Sequence, residues 1–187
     1  LGHAAFLGVG AYSAGLLAKH VTGDPLAGLA LAIGVSTILG FCTSFLVLRG
    51  SDLTRLMVTL GVALVLGELA NALPQYTGGA DGLQGVVMAP LLGRFDFDLF
   101  GRTAYAYSLT TLFVLALLAR RIVGSPFGLS LSAIRCNQLR ARALGVPVGK
   151  RLVAAFTLPA AYAGAAGALL AQTTAFASLD AFDFHRS

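Results

Sequence analysis

The amino-acid sequence predicts an all-α protein that crosses a membrane several times. Of its 187 residues, 57% are hydrophobic and only 11% are charged, whereas soluble domains usually carry about 25% charged residues. The apolar residues also form long uninterrupted runs, which differ from the alternation of a strand and from the stripe of a soluble amphipathic helix. Because backbone polar groups in lipid must be satisfied within a segment, such runs form helices.

Five apolar segments are predicted, and they are Gly2–Ala18, Pro25–Leu48, Leu53–Leu73, Ala104–Ala119 and Leu152–Thr173. A spanning helix needs about 20 residues, with a range of roughly 17–25. The second, third and fifth segments are therefore long enough to span a bilayer, while the first and fourth are at the lower limit. Because the chain starts inside one apolar run and stops soon after another, we expect residues 1–187 to be a single transmembrane domain and a fragment of a longer protein.

The positive charges predict which loops face the cytoplasm. The segment 120–151, between the fourth and fifth apolar runs, contains seven Lys and Arg and no Asp or Glu. Short cytoplasmic loops of membrane proteins are enriched in these cations. If this segment, called the basic loop below, is cytoplasmic, nine of the thirteen cations lie inside, and the long loop 74–103 lies outside. The positive charge is thus explained by membrane topology, and no nucleic-acid partner is expected.

The basic loop has the start and stop signals of a helix. Ser125 is a good N-cap and Pro126 suits the first helical position, whereas Gly145 is typical of a C-terminal stop. Between them, one face carries apolar residues and another carries arginines: Leu131, Ile134, Ala141 and Leu144 against Arg135 and Arg142. Such a helix packs its apolar face either on the membrane helices of the same protein or into the groove of a protein partner, or it lies on an anionic membrane surface, and the pattern leaves these alternatives open.

The fifth segment carries small residues on one face, namely Ala160, Gly164, Gly167 and Ala168. Small residues allow helices to approach closely in a membrane. We therefore expect this face to pack against other helices rather than to line a pore. Pro159 lies within the same segment and predicts a kink or a break in the helix.

Four groups of motifs resemble the permeases of branched-chain amino acid ABC transporters, and they follow the family's order from end to end of the chain. They are LGHAAFLGVGAY at residues 1–12, LRG at 48–50 with LMVTL at 56–60, TGGADGL at 77–83, and SPFG at 125–128 with AIR at 133–135, Asn137, Ala141 and ALG at 143–145. Among these permeases the chain is most similar to the M-type subunit.

The resemblance implies a multi-pass subunit of an importer in the bacterial inner membrane, with no enzymatic site, cofactor or metal of its own. ATP would be hydrolysed on two cytoplasmic ATPase subunits. The other expected partners are a second permease subunit, a periplasmic solute-binding protein and membrane lipid. The substrate would be a branched-chain or related small amino acid.

The resemblance also implies that the basic loop couples the permease to an ATPase. The residues expected to carry this role are Ser125, Pro126, Gly128, Ile134, Arg135, Asn137, Ala141 and Gly145. Family members usually have acidic residues in this loop where this chain has Cys136, Gln138 and Arg142. We therefore expect the surface that contacts the ATPase to differ in charge.

Glu68 is the one acidic residue inside an apolar segment. A charge at the bilayer centre costs about 2.5–3.5 kcal/mol on insertion scales, so such residues often face a cavity. Glu68 shares a helix face with Asn71, and together with Thr59 these residues are candidates for a substrate path. The alternative is that Glu68 reaches water at the outer interface, because it lies only about five residues, roughly 8 Å of helix, from Leu73.

A glycine-rich turn is predicted in the outer loop, where glycines permit positive φ and Asp81 can close a hydrogen-bonded turn. A plain tight turn explains this segment. A contact with the binding protein is the alternative, through Thr77, Gly78, Gly79, Asp81 and Gly82. The segment lacks the Lys-Ser/Thr pair of a phosphate-binding loop.

Two other functions are weighed against an importer subunit. An ion-coupled secondary transporter or channel for a small solute predicts paired intramembrane charges or inverted repeats, whereas the sequence shows one intramembrane acid and no evident repeat. A membrane-embedded enzyme needs catalytic groups clustered at one depth, and the three histidines are scattered along the chain.

Overall fold

A computed structural model describes residues 3–20, 23–48, 52–72, 77, 83 and 102–174. Every regular element within these residues is an α-helix. The helices are α1 His3–His20, α2 Pro25–Leu48, α3 Asp52–Ala72, α4 Arg102–Val123, α5 Pro126–Cys136, α6 Gln138–Ala143 and α7 Val148–Thr174. Helices α1, α2, α3, α4 and α7 coincide with the five predicted apolar segments. The all-α, polytopic membrane fold is therefore confirmed.

The length of α4 differs from the prediction. Helix α4 has 22 residues and is long enough to span a bilayer, although its apolar run placed it at the lower limit. Its ends carry Arg102, Arg120 and Arg121, and long cationic side chains at helix ends can keep their stems in lipid while their heads reach water. Helix α3 has 21 residues, as its apolar segment predicted.

Helix α7 is a single element of 27 residues that contains Pro159. The break that the proline suggested does not occur. A proline removes one backbone donor and so leaves one carbonyl without its intrahelical partner. Transmembrane helices tolerate this change because local adjustment and neighbouring groups satisfy the freed carbonyl.

Helices α1, α2 and α7 form the closely packed centre of the bundle. A Cβ atom added to Gly10 of α1 would overlap the backbone of Gly164 in α7, and one added to Gly167 would overlap the carbonyl of Leu7. The backbones therefore touch directly. The small-residue face predicted on α7 is buried as expected, at Ala160, Gly164, Gly167 and Ala168.

Helix α4 stands at the edge of this centre, and Tyr107 is its one buried residue. The Tyr107 hydroxyl donates to the carbonyl of Pro25 at the start of α2, at 3.4 Å. From the other side, the Tyr162 hydroxyl of α7 donates to the carbonyl of Leu115 in the middle of α4, at 3.1 Å. These two hydrogen bonds tie α4 to a bundle that it otherwise contacts little.

Candidate functional site

The basic loop folds into two short helices, so the expected single helix from Pro126 to Gly145 is wrong at Asn137. This residue has an extended backbone, with φ −159° and ψ 107°. Its backbone N–H donates to the carbonyl of Ala133 at 3.1 Å. Its side-chain Oδ1 accepts a hydrogen bond from the backbone N–H of Arg140 at 2.9 Å. Asn137 therefore ends α5 and begins α6.

The predicted start and stop of the helical part of the basic loop are confirmed. The Ser125 hydroxyl accepts a hydrogen bond from the backbone N–H of Phe127 at 3.2 Å, and Pro126 is the first residue of α5. At the other end Gly145 has φ +82°, a left-handed conformation that glycine adopts without a Cβ penalty. A Cβ added to Gly128 would overlap the carbonyl of Val123, so the tight turn from α4 into α5 requires glycine there.

Apolar contacts join the basic loop to the start of α7. Ile134 of α5, Ala141 of α6 and Val148 of α7 form one buried cluster. The guanidinium of Arg151 also lies over the ring of Phe127, 5.3 Å from its centroid, a distance at which a cation is attracted to an aromatic face. Both halves of the loop are thus fastened to the first turns of α7.

The opposite surface of the loop exposes leucines and arginines together. Leu129, Leu139 and Leu144 are 70%, 77% and 76% exposed. Leu144 was expected on the packed face, but it is the C-cap residue of α6 and lies outside the buried cluster. The arginines of α5 and α6 are also exposed, namely Arg135, Arg140 and Arg142. Exposed apolar side chains rimmed by polar groups are typical of a contact surface for a protein or a membrane.

Among the described residues, the three candidate substrate-path residues lie at different places on α3. Thr59 borders a small cavity of about 10 Å³, together with Phe6 of α1 and Phe156 of α7. Glu68 and Asn71 are exposed on α3. Thr59 and Glu68 are nine residues apart, which places them on opposite sides of a helix with about 3.6 residues per turn. Their assignment to a path stays a prediction.

Both described residues of the glycine-rich segment are buried against the bundle. The Thr77 hydroxyl donates to the carbonyl of Ala70 at 2.5 Å, and Leu83 packs in a cluster with Ala11 and Ala171. The intervening motif residues, Gly78, Gly79, Asp81 and Gly82, lie outside the described residues. A contact between this segment and a binding protein stays a prediction, with Thr77 itself turned toward α3.

Buried polar side chains in the packed centre were missed from the sequence. Gln172 is 3% exposed, and its Nε2 donates to the carbonyl of Pro25 at 2.8 Å. Its Oε1 has no hydrogen-bond partner among the described residues. The hydroxyl of Ser36 donates to the carbonyl of Phe6 at 3.2 Å. The sequence offered one hint, since Gln172 is the single side-chain amide in the fifth apolar run.

Within the described ranges, no three His, Cys, Asp or Glu side chains come close enough together to hold a metal ion. The organised feature of the described residues is instead the basic loop, fastened to the start of a helix that is long and apolar enough to cross a membrane. The fold defines the class as a multi-pass α-helical membrane protein. Residues 1–185 match the family described as "Branched-chain amino acid transport system / permease component", and the chain belongs to this family.

Two curated relatives are similar along the whole chain. They are the high-affinity branched-chain amino acid transport system permease proteins LivM of Salmonella typhimurium (strain LT2) and of Escherichia coli (strain K12). Each is 30% identical over 213 aligned residues, which cover 100% of this chain and 49% of the relative. The chain thus spans about half the length of these relatives. No solved structure matches it. The family resemblance indicated by the motifs is therefore confirmed.

Proposed function

We propose that the chain belongs to the M-type permease subunit of an ABC importer that moves branched-chain or related small amino acids across the bacterial inner membrane. The observation that carries this proposal is the basic loop, which is fastened to α7 on one side and exposes leucines and arginines on the other. The names of both relatives, as permeases for branched-chain amino acids, support the substrate class. An ion-coupled transporter or channel is not favoured by this family membership.

In this proposal the energy comes from partner subunits. Two cytoplasmic ATPases bind and hydrolyse ATP, a second permease subunit completes the path, and a periplasmic binding protein delivers the amino acid. The loop surface with Leu129, Leu139 and Leu144 docks in a groove of one ATPase. Buried apolar anchors supply most of the affinity at such a contact, while Arg135, Arg140 and Arg142 favour a partner with acidic groups at the rim of the groove.

The loop's attachment to α7 explains how ATPase closure reaches the membrane. The cluster of Ile134, Ala141 and Val148 makes α5, α6 and the start of α7 move together. Helix α7 in turn touches α1 and α2 backbone to backbone. Because packed interiors transmit a displacement rather than absorb it, movement of the loop shifts the packed centre as a unit. Rigid-body movement of this kind is a common basis of alternating access.

Two outer features complete the proposal. The exposed face of α3, with Glu68 and Asn71, lines the amino-acid path where it meets the second permease subunit. The exposed apolar residues on the same helix support such a contact, since Met57, Leu64 and Val65 are each at least 66% exposed. The segment from Thr77 to Gly82 supplies a docking point for the binding protein.

The coupling role is tested by cross-linking from Cys136. This native cysteine is exposed and ends α5, next to the proposed ATPase surface. In the full-length protein, with every other cysteine changed to Ser, the assembled complex is treated with a short bifunctional thiol reagent. We expect a cross-link to the ATPase whose yield changes several-fold between the nucleotide-free and the ATP-bound complex.

The matched control retains Cys42 on α2 and carries Cys136→Ser. Cys42 is also exposed in this chain, but it lies on a membrane helix and should give no ATPase cross-link. A Cys136 that never reaches an ATPase, or that does so identically in all nucleotide states, would contradict the coupling role.

A further inference from the structure

A wide groove lies between α2, α7 and the turn from α4 into α5, at the end of the bundle next to the basic loop. Its volume is about 970 Å³. Phe41 and Phe45 of α2 line one wall, edge to face with ring centroids 5.0 Å apart. Ile122 lines the α4 side, and Val153 of α7 lines the floor. The body of the groove is therefore apolar.

The cytoplasmic mouth of this groove is cationic. Lys150 and the N-cap residue Ser125 belong to its lining. The guanidinium of Arg151 lies over the lining ring of Phe127, and its Nε has no hydrogen-bond partner among the described residues. Arg121 is exposed in the last turn of α4, directly before the lining residue Ile122. Because the basic loop contains no Asp or Glu, it supplies no counter-ion for these groups.

The first turn of α7 adds open space and a helix N-terminus at the same end of the groove. Gly149 lines the groove, and a Cβ atom added there would meet no heavy atom within 4 Å. The positive end of a helix dipole favours a negative group near its first turn. Space beside the backbone, a lysine and a helix N-terminus therefore converge where the groove opens toward the lipid headgroups.

These features require an occupant with a long apolar body and an anionic head at the cytoplasmic interface. We propose that the groove binds an anionic phospholipid of the cytoplasmic leaflet, with acyl chains along Phe41, Phe45 and Val153 and its phosphate at Lys150 and Arg151. Basic pockets between transmembrane helices on the cytoplasmic side are suited to anionic headgroups. A helix of another protein would fill the apolar part but leave the cations at the mouth without an anion.

Photo-cross-linking identifies the occupant directly. A photoreactive benzoyl-phenylalanine replaces Phe45 in the full-length protein, and the assembled complex is reconstituted in phosphatidylcholine vesicles that contain a minor share of phosphatidylglycerol. The same replacement at Phe113, which is 63% exposed on α4, reports the surrounding lipid. Mass spectrometry of the adducts should show phosphatidylglycerol enriched several-fold at position 45 over position 113.

The charge at the mouth is tested in the same assay. Lys150→Gln should reduce the enrichment at position 45 to the level at position 113, and Lys150→Arg should restore it. Lys19→Gln removes an exposed cation at the end of α1 and should leave the enrichment unchanged. Adducts to a protein helix, phosphatidylglycerol in proportion to its share, or no adduct at position 45 while position 113 is labelled would each overturn the proposal.

Discussion

Helices α7 and α4 are both long and apolar enough to cross a membrane, yet they are attached to the bundle in different ways. Helix α7 presents glycines and alanines and touches α1 and α2 at the backbone, whereas α4 is rich in leucine and has one buried residue, Tyr107. In lipid a leucine gains little by leaving acyl chains for another helix, so attachment depends on close approach and on hydrogen bonds. Apolar character places a helix in the membrane, and small or polar residues fix its neighbours.

The substitution Gly164→Leu should lower stability the most, because it places a large side chain in the closely packed centre. A Cβ at this position would already overlap the side chain of Ser36 and approach the carbonyl of Ala32. Overpacking of a filled interior typically costs about 1–3 kcal/mol and occasionally more, and a leucine side chain adds far more volume here than one methylene. We expect a large fall in the thermal midpoint, or loss of the monodisperse protein, by size-exclusion analysis of heated full-length protein in detergent.

The matched control is Gly34→Leu on α2, where an added Cβ meets no heavy atom within 4 Å. This variant should keep the thermal midpoint of the parent protein. Equal losses from Gly34→Leu and Gly164→Leu would show that glycine itself, rather than close helix approach, explains the first result.

Gly128→Ala should have an intermediate and local effect, because it opens the tight turn between α4 and α5 against the carbonyl of Val123. We expect a loss of about 1–3 kcal/mol from overpacking. Faster hydrogen exchange of the α5 amides and lower ATP-driven uptake should accompany it, while the amides of α1 and α7 keep their protection. Gly124→Ala is the control, since its Cβ would make only an ordinary contact at 3.4 Å. Uniform loss of protection would mean that the turn and the packed centre unfold together.

Removing the tyrosine hydroxyls should have the smallest effect and should act on α4 alone. Hydrogen bonds between transmembrane helices are worth about 0.6 kcal/mol on average, so Tyr107→Phe with Tyr162→Phe should lower stability by roughly 1 kcal/mol if the two bonds add. Hydrogen exchange should rise in α4 and stay unchanged in α7. Tyr105→Phe, at a residue 70% exposed on the same helix, should behave like the parent protein. If the two tyrosine substitutions lowered stability as much as Gly164→Leu, the proposed difference in how α4 and α7 are attached to the bundle would be contradicted.

The membrane helices and the ends of the basic loop were predictable because their causes are local. Long apolar runs mark α2 and α7, and the Ser125 cap, Pro126 and Gly145 mark the loop by residue type alone. The full length of α4 was harder to predict, because its terminal arginines belong to the helix but interrupt the apolar run. A search for apolar runs alone therefore underestimates the length of such a helix.

The missed features depend on partners that are distant in sequence or on competition between two local structures. The bond from Gln172 to Pro25 joins residues 147 positions apart, so no spacing rule finds it. At Asn137 the helical pattern continues on both sides, but asparagine is also among the best N-cap residues, and here the cap prevails over the continuous helix.

Because Asn137 is both the C-cap of α5 and the N-cap of α6, the number of residues between Asn137 and Ala141 decides where Ala141 lies. Helix α6 begins directly after Asn137, and Ala141 packs against Ile134 and Val148 because it lies four positions after that cap. One residue inserted or deleted between Asn137 and Ala141 would turn Ala141 by about 100° around the helix axis and carry it away from its pocket. We therefore expect the loop to tolerate exchange of its outward side chains far better than a change in the number of residues between Asn137 and Ala141.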